Sequence, residues 1–168
     1  MELEITLSGV YWAVNFILPT YAANSVPAIF GGGKSLDFGK VFIDGERIFG
    51  SHKTLSGLVS GLLAGTMIAF LEGVLLEATL FPFGVLASVG ALAGDLLGAF
   101  IKRRLNLSPG YALPLLDQLD FVFGGLCLVS LFYEVRVDAI FLILLVTPIV
   151  HLLANVIAYV SKTKDVFW

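Results

Sequence analysis

The chain has 168 residues, 58% of them hydrophobic and only 14% charged, with a mean hydropathy of +0.94. A soluble globular chain is roughly 45–50% apolar and about 25% charged, and a membrane crossing takes about 20 apolar residues, so the length excludes an additional soluble catalytic domain. The net charge of −3 hides where each sign lies, and the few cations flank apolar runs rather than forming a nucleic-acid-binding surface.

Five apolar segments follow one another, at about 3–30, 55–71, 80–101, 119–133 and 139–160. They predict a single all-α domain over 1–168, a polytopic membrane helical bundle of five transmembrane helices with two cytoplasmic loops. The acidic start, Glu2 and Glu4, is unlike the basic n-region of a secretory leader, and no cleavable leader is expected. Pro19 and Pro27 predict a kink or break in the first segment. Asn24, three residues before Pro27, is left between bonding to carbonyls freed by a broken helix and reaching a ligand.

Next comes Gly31-Gly32-Gly33-Lys34-Ser35. A phosphate-binding P-loop needs a glycine where position 28 has alanine, and no strand precedes it, so the stretch reads as a turn. The segment Gly50-Ser51-His52-Lys53-Thr54-Leu55-Ser56-Gly57 enters the second span, gathering backbone N–H groups, hydroxyls and a lysine at a helix start, where anions bind. His52 reads as incidental. Small residues recur through spans two and three (Gly57, Gly61 and Gly65; Ala87, Ala91, Gly94 and Gly98) and let helix backbones approach closely. Glu72 and Glu77 read as solvated in an outer loop.

Asp95 stands about 10 Å inside the end of the third span. A carboxylate there is costly unless it faces the interior with a partner. Residues 95, 98 and 102 share one helix face, with Gly98 leaving space between an anion and a cation, so either a charge pair or a polar notch is expected. Asp117 and Asp120 then open the fourth span at i, i+3, on one face. Acids at a helix start are also common as caps, but two beside a basic loop favour a hard divalent cation such as Mg²⁺, which takes one or two carboxylates and fills its shell with water and phosphates. Cys127, the single cysteine, reads as a small buried hydrophobe. In the last span Thr147, His151 and Asn155 form one polar stripe, which lines a cavity or bonds a neighbouring helix.

Nine of the ten Lys and Arg residues fall on one side: Lys34, Lys40, Arg47, Lys53, Lys102, Arg103, Arg104, Lys162 and Lys164. Only Arg136 lies opposite. Cations mark the cytoplasmic side, which predicts a multi-pass cell-membrane protein with the N-terminus outside and the C-terminus within. Three carboxylates, a hydroxyl-rich helix start and a basic cluster on that face point to phosphate chemistry on a lipid or nucleotide. A small ion-coupled transporter using Asp95, Asp117 and Asp120 is the alternative. It is disfavoured because the outer halves of the spans carry almost no ionisable residues.

These residues also resemble a known family. Asp95, Lys102-Arg103 and Leu116-Asp117-Gln118-Leu119-Asp120 are similar to the signature of the integral-membrane phosphatidate cytidylyltransferases, and Lys53-Thr54-Leu55-Ser56-Gly57 to its upstream element. The stretches 23–27, 31–33, 37–40 and 44–47 resemble the archaeal branch, the CDP-archaeol synthase family. The resemblance implies cytidylyl transfer from CTP to an isoprenoid ether lipid phosphate in the bilayer, with release of pyrophosphate. It further implies Mg²⁺ on Asp117 and Asp120 with Asp95 near. Nucleotide contacts would come from Asn24, Lys53, Thr54, Ser56, Gly57, Lys102 and Arg103. The chain departs from the bacterial pattern at Ala99, where a serine is usual, and at Ala112-Leu113-Pro114, which replaces His-Gly-Gly.

Overall fold

Helix α1 (Leu7–Ser25) starts where the Thr6 hydroxyl accepts the Gly9 N–H at 3.0 Å, satisfying one of the first turn's free donors. The structure, a computed structural model, describes residues 4–107, 111, 113 and 115–160, with the backbone alone at 157 and 158. Glu2, Ala112, Pro114, Lys162 and Lys164, named above, lie outside these residues, as does the first residue of the 3–30 segment. The expected break falls at Pro27, which opens a separate short helix α2 (Pro27–Phe30), while α1 continues through Pro19.

A folded loop leads to α3 (Leu55–Leu75), capped by Thr54 as α1 is by Thr6. Then follow α4 (Leu80–Arg104), α5 (Leu116–Ser130) and α6 (Val137–Val160). Among the described residues, three helical stretches are long and apolar enough to cross a membrane: Leu55–Leu75, Leu80–Arg104 and Val137–Val156. The fold is thus all-helical, with three helical stretches of membrane-crossing length among the described residues. Helix α5 has 15 residues, about 22 Å at 1.5 Å per residue, and starts at Leu116 rather than 119. Both Asp117 and Asp120 are therefore carried in its first turns.

Two expectations are corrected. Helix α3 runs on to Leu75, so Glu72 is not solvated but 5% exposed, and neither carboxylate oxygen has a hydrogen-bond partner among the described residues. It continues the buried stripe of Gly57, Gly61, Gly65 and Ala69, because the helical repeat carries residue 72 round to the same face. Cys127 is exposed rather than buried. The inward face of α5 is Phe121, Val122, Gly125, Leu126 and Val129, and residue 127 lies off that face.

Glycine makes the tightest joint. A Cβ on Gly90 would lie 2.8 Å from the Gly125 Cα, and one on Gly94 would lie 3.0 Å from the Gly124 Cα, so α4 and α5 meet main chain to main chain. Gly61 admits Pro27 and Leu92 in the same way, at 2.8 and 2.9 Å from the absent Cβ. We expect Gly94→Val to lower the thermal midpoint in detergent, by overpacking worth about 1–3 kcal/mol. An unchanged melting curve would contradict the seam. At the opposite end of the bundle, Trp12 stacks on Phe16, Phe83 meets Trp12 and Tyr133 edge to face, and Asp138 ties α6 to α1 through the Thr6 hydroxyl at 2.6 Å and Arg136 at 3.2 Å.

Candidate active site

The start of α3, the end of α4 and the start of α5 share one end of the bundle, and the loop from 31 to 54 folds over them. Two adjoining cavities of about 170 Å³ each lie there. Asn24, Pro27, Thr54 and Leu92 border the first; Gly50, Ala99, Lys102, Arg103, Asp117 and Asp120 border the second. His52, Lys53 and Asp95 border both, so they form the partition between them.

Charge in this space is arranged as two clasped pairs and one remainder. The Lys53 ammonium donates to both Asp95 oxygens, at 2.6 and 2.7 Å. The Lys102 ammonium donates to both Asp117 oxygens, at 2.8 and 2.9 Å, and Asp117 also accepts the Leu113 N–H at 3.0 Å. Asp120 accepts its neighbour's Phe121 N–H at 2.6 Å, and no cation among the described residues pairs with it. Each lysine is within reach of solvent, with side chains 30% and 15% exposed.

Asp95 and Lys102 do not pair with each other, and the space beside Gly98 is not left open. The Asp120 carboxylate from α5 fills the place where a Gly98 side chain would be. Asp95 and Lys102, one face of α4, consequently find their partners on other elements. The sequence could place 95, 98 and 102 on a stripe but could not say which helix lies against it.

A family model described as "CarS-like: CDP-archaeol synthase" matches residues 5–168. The chain is 43% identical to a CDP-archaeol synthase of Methanococcus aeolicus, over 96% of this chain and all of that one. It is 45% identical to one of Methanocaldococcus jannaschii, over 91% and 94% of the two chains. The chain belongs to the CDP-archaeol synthase family. A solved structure described as an intramembrane enzyme for archaeal membrane lipid biosynthesis superposes with a TM-score of 0.82 at 36% identity, covering 88% of this chain and 94% of that one. As a CDP-archaeol synthase family member the chain is an enzyme of lipid biosynthesis, and the transporter alternative is set aside.

Within that family frame, the residues singled out by sequence divide into three groups. Asp95, Asp117, Asp120, Lys53, Lys102 and Arg103 meet around the second cavity, and Asn24, Thr54 and Gly57 border the first. Ser56 is turned to structure: its exposed hydroxyl donates to the Gly32 carbonyl at 2.6 Å. The Thr54 hydroxyl likewise accepts the Gly32 and Gly57 N–H groups, each at 3.1 Å, tying the glycine turn to the α3 start. Thr147 belongs to helix packing, accepting the Tyr21 hydroxyl at 2.8 Å and donating to the Ile143 carbonyl.

Sequence reasoning missed two features. His52 is part of the partition, although nothing but its neighbourhood to Lys53 signalled it. Asp37 organises the whole covering loop. Its fully buried carboxylate is clasped by Arg47 and accepts the N–H groups of Gly39, Phe49 and Gly50 at 3.0, 3.2 and 3.0 Å. Gly50 then sits at φ +94°, open to glycine alone, with the Arg103 side chain 3.6 Å from the place of its absent Cβ. Arg103 is itself buried, and its Nε–H has no partner among the described residues.

Burial acts to raise the Asp37 carboxyl, but the Arg47 guanidinium and the three backbone N–H groups outweigh it and hold the group well below the usual carboxylate range. A depressed folded value means that the stabilisation is complete above the unfolded pKa, near 4, and is lost as the pH falls below it. Asp37→Asn should therefore cost about 2 kcal/mol at pH 7, and the gap between variant and parent should narrow below about pH 4. Thermal melts against pH would show it; a gap that stays constant would contradict the ion pair's role.

Proposed function

We propose that the chain transfers the cytidylyl group of CTP to the phosphate of 2,3-bis-O-(geranylgeranyl)-sn-glycerol 1-phosphate, giving CDP-archaeol and pyrophosphate. The observation that supports this reading most is the pair of lysine–carboxylate clasps beside an aspartate that has no cation. Arriving phosphates compete with Asp95 and Asp117 for the two ammonium groups. As Lys53 and Lys102 turn to phosphate oxygens, the carboxylates are released for a divalent ion.

No three acidic, His or Cys side chains among the described residues stand close enough to hold a metal by themselves. That suits Mg²⁺, which is commonly bound by one or two carboxylates with water and substrate phosphates completing its shell. Asp117 and Asp120, with Asp95 near, are the residues that would hold it. When bound, it neutralises phosphate charge.

The chain's own groups supply position. Lys102 and the buried Arg103 hold the β- and γ-phosphates in the second cavity, and Lys53 in the partition meets both phosphates that react. A lipid phosphate monoester, with a second pKa near 6, is mostly a dianion at pH 7 and needs no strong base. One of its oxygens attacks the α-phosphorus, the bond to the β-phosphate oxygen breaks, and the electron pair leaves with pyrophosphate. Little covalent participation is asked of the protein, as positioning and charge compensation dominate phosphoryl chemistry.

The same reading gives the topology: five crossings, with α1 and α5 completing the bundle, the N-terminus outside and the reacting groups at the cytoplasmic face. Support comes from the cation distribution. The isoprenoid chains lie along the exposed apolar helix faces. Purified protein given radiolabelled CTP, Mg²⁺ and the lipid phosphate should form a CDP-lipid. No product with any isoprenoid or acyl phosphate would sink the proposal.

A further inference from the structure

The covering loop carries an apolar tip that the reaction does not use. Residues 41–47 form a small hairpin: Val41 bridges Arg47, the Phe42 N–H donates to the Glu46 carbonyl at 2.7 Å, and the Gly45 N–H closes the turn on Phe42 at 3.0 Å. At its tip Ile43 is 93% exposed, with Val41 and Phe38 exposed beside it. In a loop facing only water this would be an unexplained cluster.

The hairpin's place on α4 says what it faces. The Phe42 ring meets Phe100 edge to face at 5.3 Å, and the Arg104 guanidinium lies over both rings, 4.9 and 4.7 Å from their centres. Phe100 is four residues before the end of α4, hence about 6 Å inside the helix. The hairpin therefore lies alongside the helix end rather than beyond it. Leu97, Ile101 and Leu105 form the outward apolar stripe of that same helix, which is one of those able to cross a membrane. Phe42, next to Ile43 in the hairpin, thus packs on the residue that adjoins Ile101 of this stripe.

Its charges are arranged for such a position. Asp44, next to Ile43 in the turn, is paired with Arg104 at 3.1 Å and accepts the Glu46 N–H at 3.1 Å. Arg104 also donates to the Arg47 carbonyl at 2.7 Å. The turn's anion is thus neutralised within the protein. Lys40, at the hairpin's base, and Glu46, opposite Phe42, remain exposed. Aromatic rings beside a cation are characteristic of the membrane–water boundary.

We infer that the 41–47 hairpin is a membrane-surface anchor, in which Ile43 and Val41 seat among the lipid chains beside α4 while Lys40 meets the lipid phosphates. This goes beyond the proposed reaction and does not depend on it. The anchor would hold the loop that bears Asp37, Gly50 and Lys53 at a fixed height over the cavities.

The test uses a nitroxide label at Ile43→Cys in a Cys127→Ser background, since Cys127 is the chain's single cysteine. The full chain is reconstituted in vesicles of mixed phosphatidylcholine and phosphatidylglycerol. The expected result is relaxation of the label several-fold more by oxygen, which partitions into lipid, than by a water-soluble nickel chelate. Dominant relaxation by nickel would overturn the inference. So would dipolar coupling between labels on separate molecules, which would make a second copy of the chain the occupant. Neither readout requires turnover, so failure here is distinct from failure of the cytidylyltransferase reading.

Discussion

Asp120→Asn should abolish cytidylyl transfer, with a loss of at least about 10²–10³-fold, while leaving the fold intact or slightly more stable. Asparagine keeps the shape that fills the space beside Gly98 and can still accept the Phe121 N–H. What it removes is a charge with no ion-pair partner among the described residues, Lys53 acting on it only from beyond contact distance. Holding an unpaired carboxylate in a half-buried position is costly, so if Asp120 were kept only for structure, neutralising it should improve stability and leave activity in place. Single-turnover formation of CDP-lipid, measured beside a thermal melt, separates these cases. Near-parental turnover in the variant would remove Asp120 from the metal and phosphate roles given to it. Asp117→Asn should lose activity similarly, but it also breaks the Lys102 clasp, so its melt is expected to fall.

Lys102→Met should raise the KM for CTP by about ten- to a hundredfold, the range expected when a charge-assisted contact of about 1.5–3 kcal/mol is lost, with a smaller effect on kcat. A second change should accompany it. The Lys102 ammonium is clasped by both Asp117 oxygens, and in the proposed scheme it must leave them before a divalent ion is held there. Without the lysine that competition disappears, so the Mg²⁺ concentration giving half-maximal rate should fall while more CTP is required. Kinetics with Mg²⁺ varied at saturating CTP, and with CTP varied at saturating Mg²⁺, would show the opposite movement of the two constants. If both rise together, the exchange of ammonium for metal is wrong.

The readable parts of this protein were those encoded locally. Hydropathy located α3, α4 and α6, Pro27 broke the first segment, and the small-residue pattern marked the close contacts at Gly61 and Gly94 but not those at Gly90, Gly124 and Gly125. Asp95, Asp117 and Asp120 were readable because an acid is conspicuous in an apolar run. Partners across space were not. Nothing in the spacing of Asp95 and Lys102 told that they clasp Lys53 and Asp117 instead of each other. Glu72 shows a boundary error of four residues turning an apparent loop acid into a buried one. Asp37, in a polar stretch with many alternatives, became identifiable only when residues 39 to 50 were seen to close around it.

The glycine seam between α4 and α5 bears on how the enzyme meets different membranes. Because the two helices touch through Gly90, Gly94, Gly124 and Gly125 without intervening side chains, they form a single stiff stave. Asp95 and Lys102 ride on one half of it, Asp117 and Asp120 on the other. The spacing of the backbone positions that carry them is therefore set by main-chain contact, which modest tilting of the stave does not alter. A bilayer that thickens, thins or stiffens would tilt the pair as a unit and leave its charged end unchanged. Any dependence of rate on membrane composition should accordingly enter through lipid access and the covering loop, not through the geometry of the aspartates.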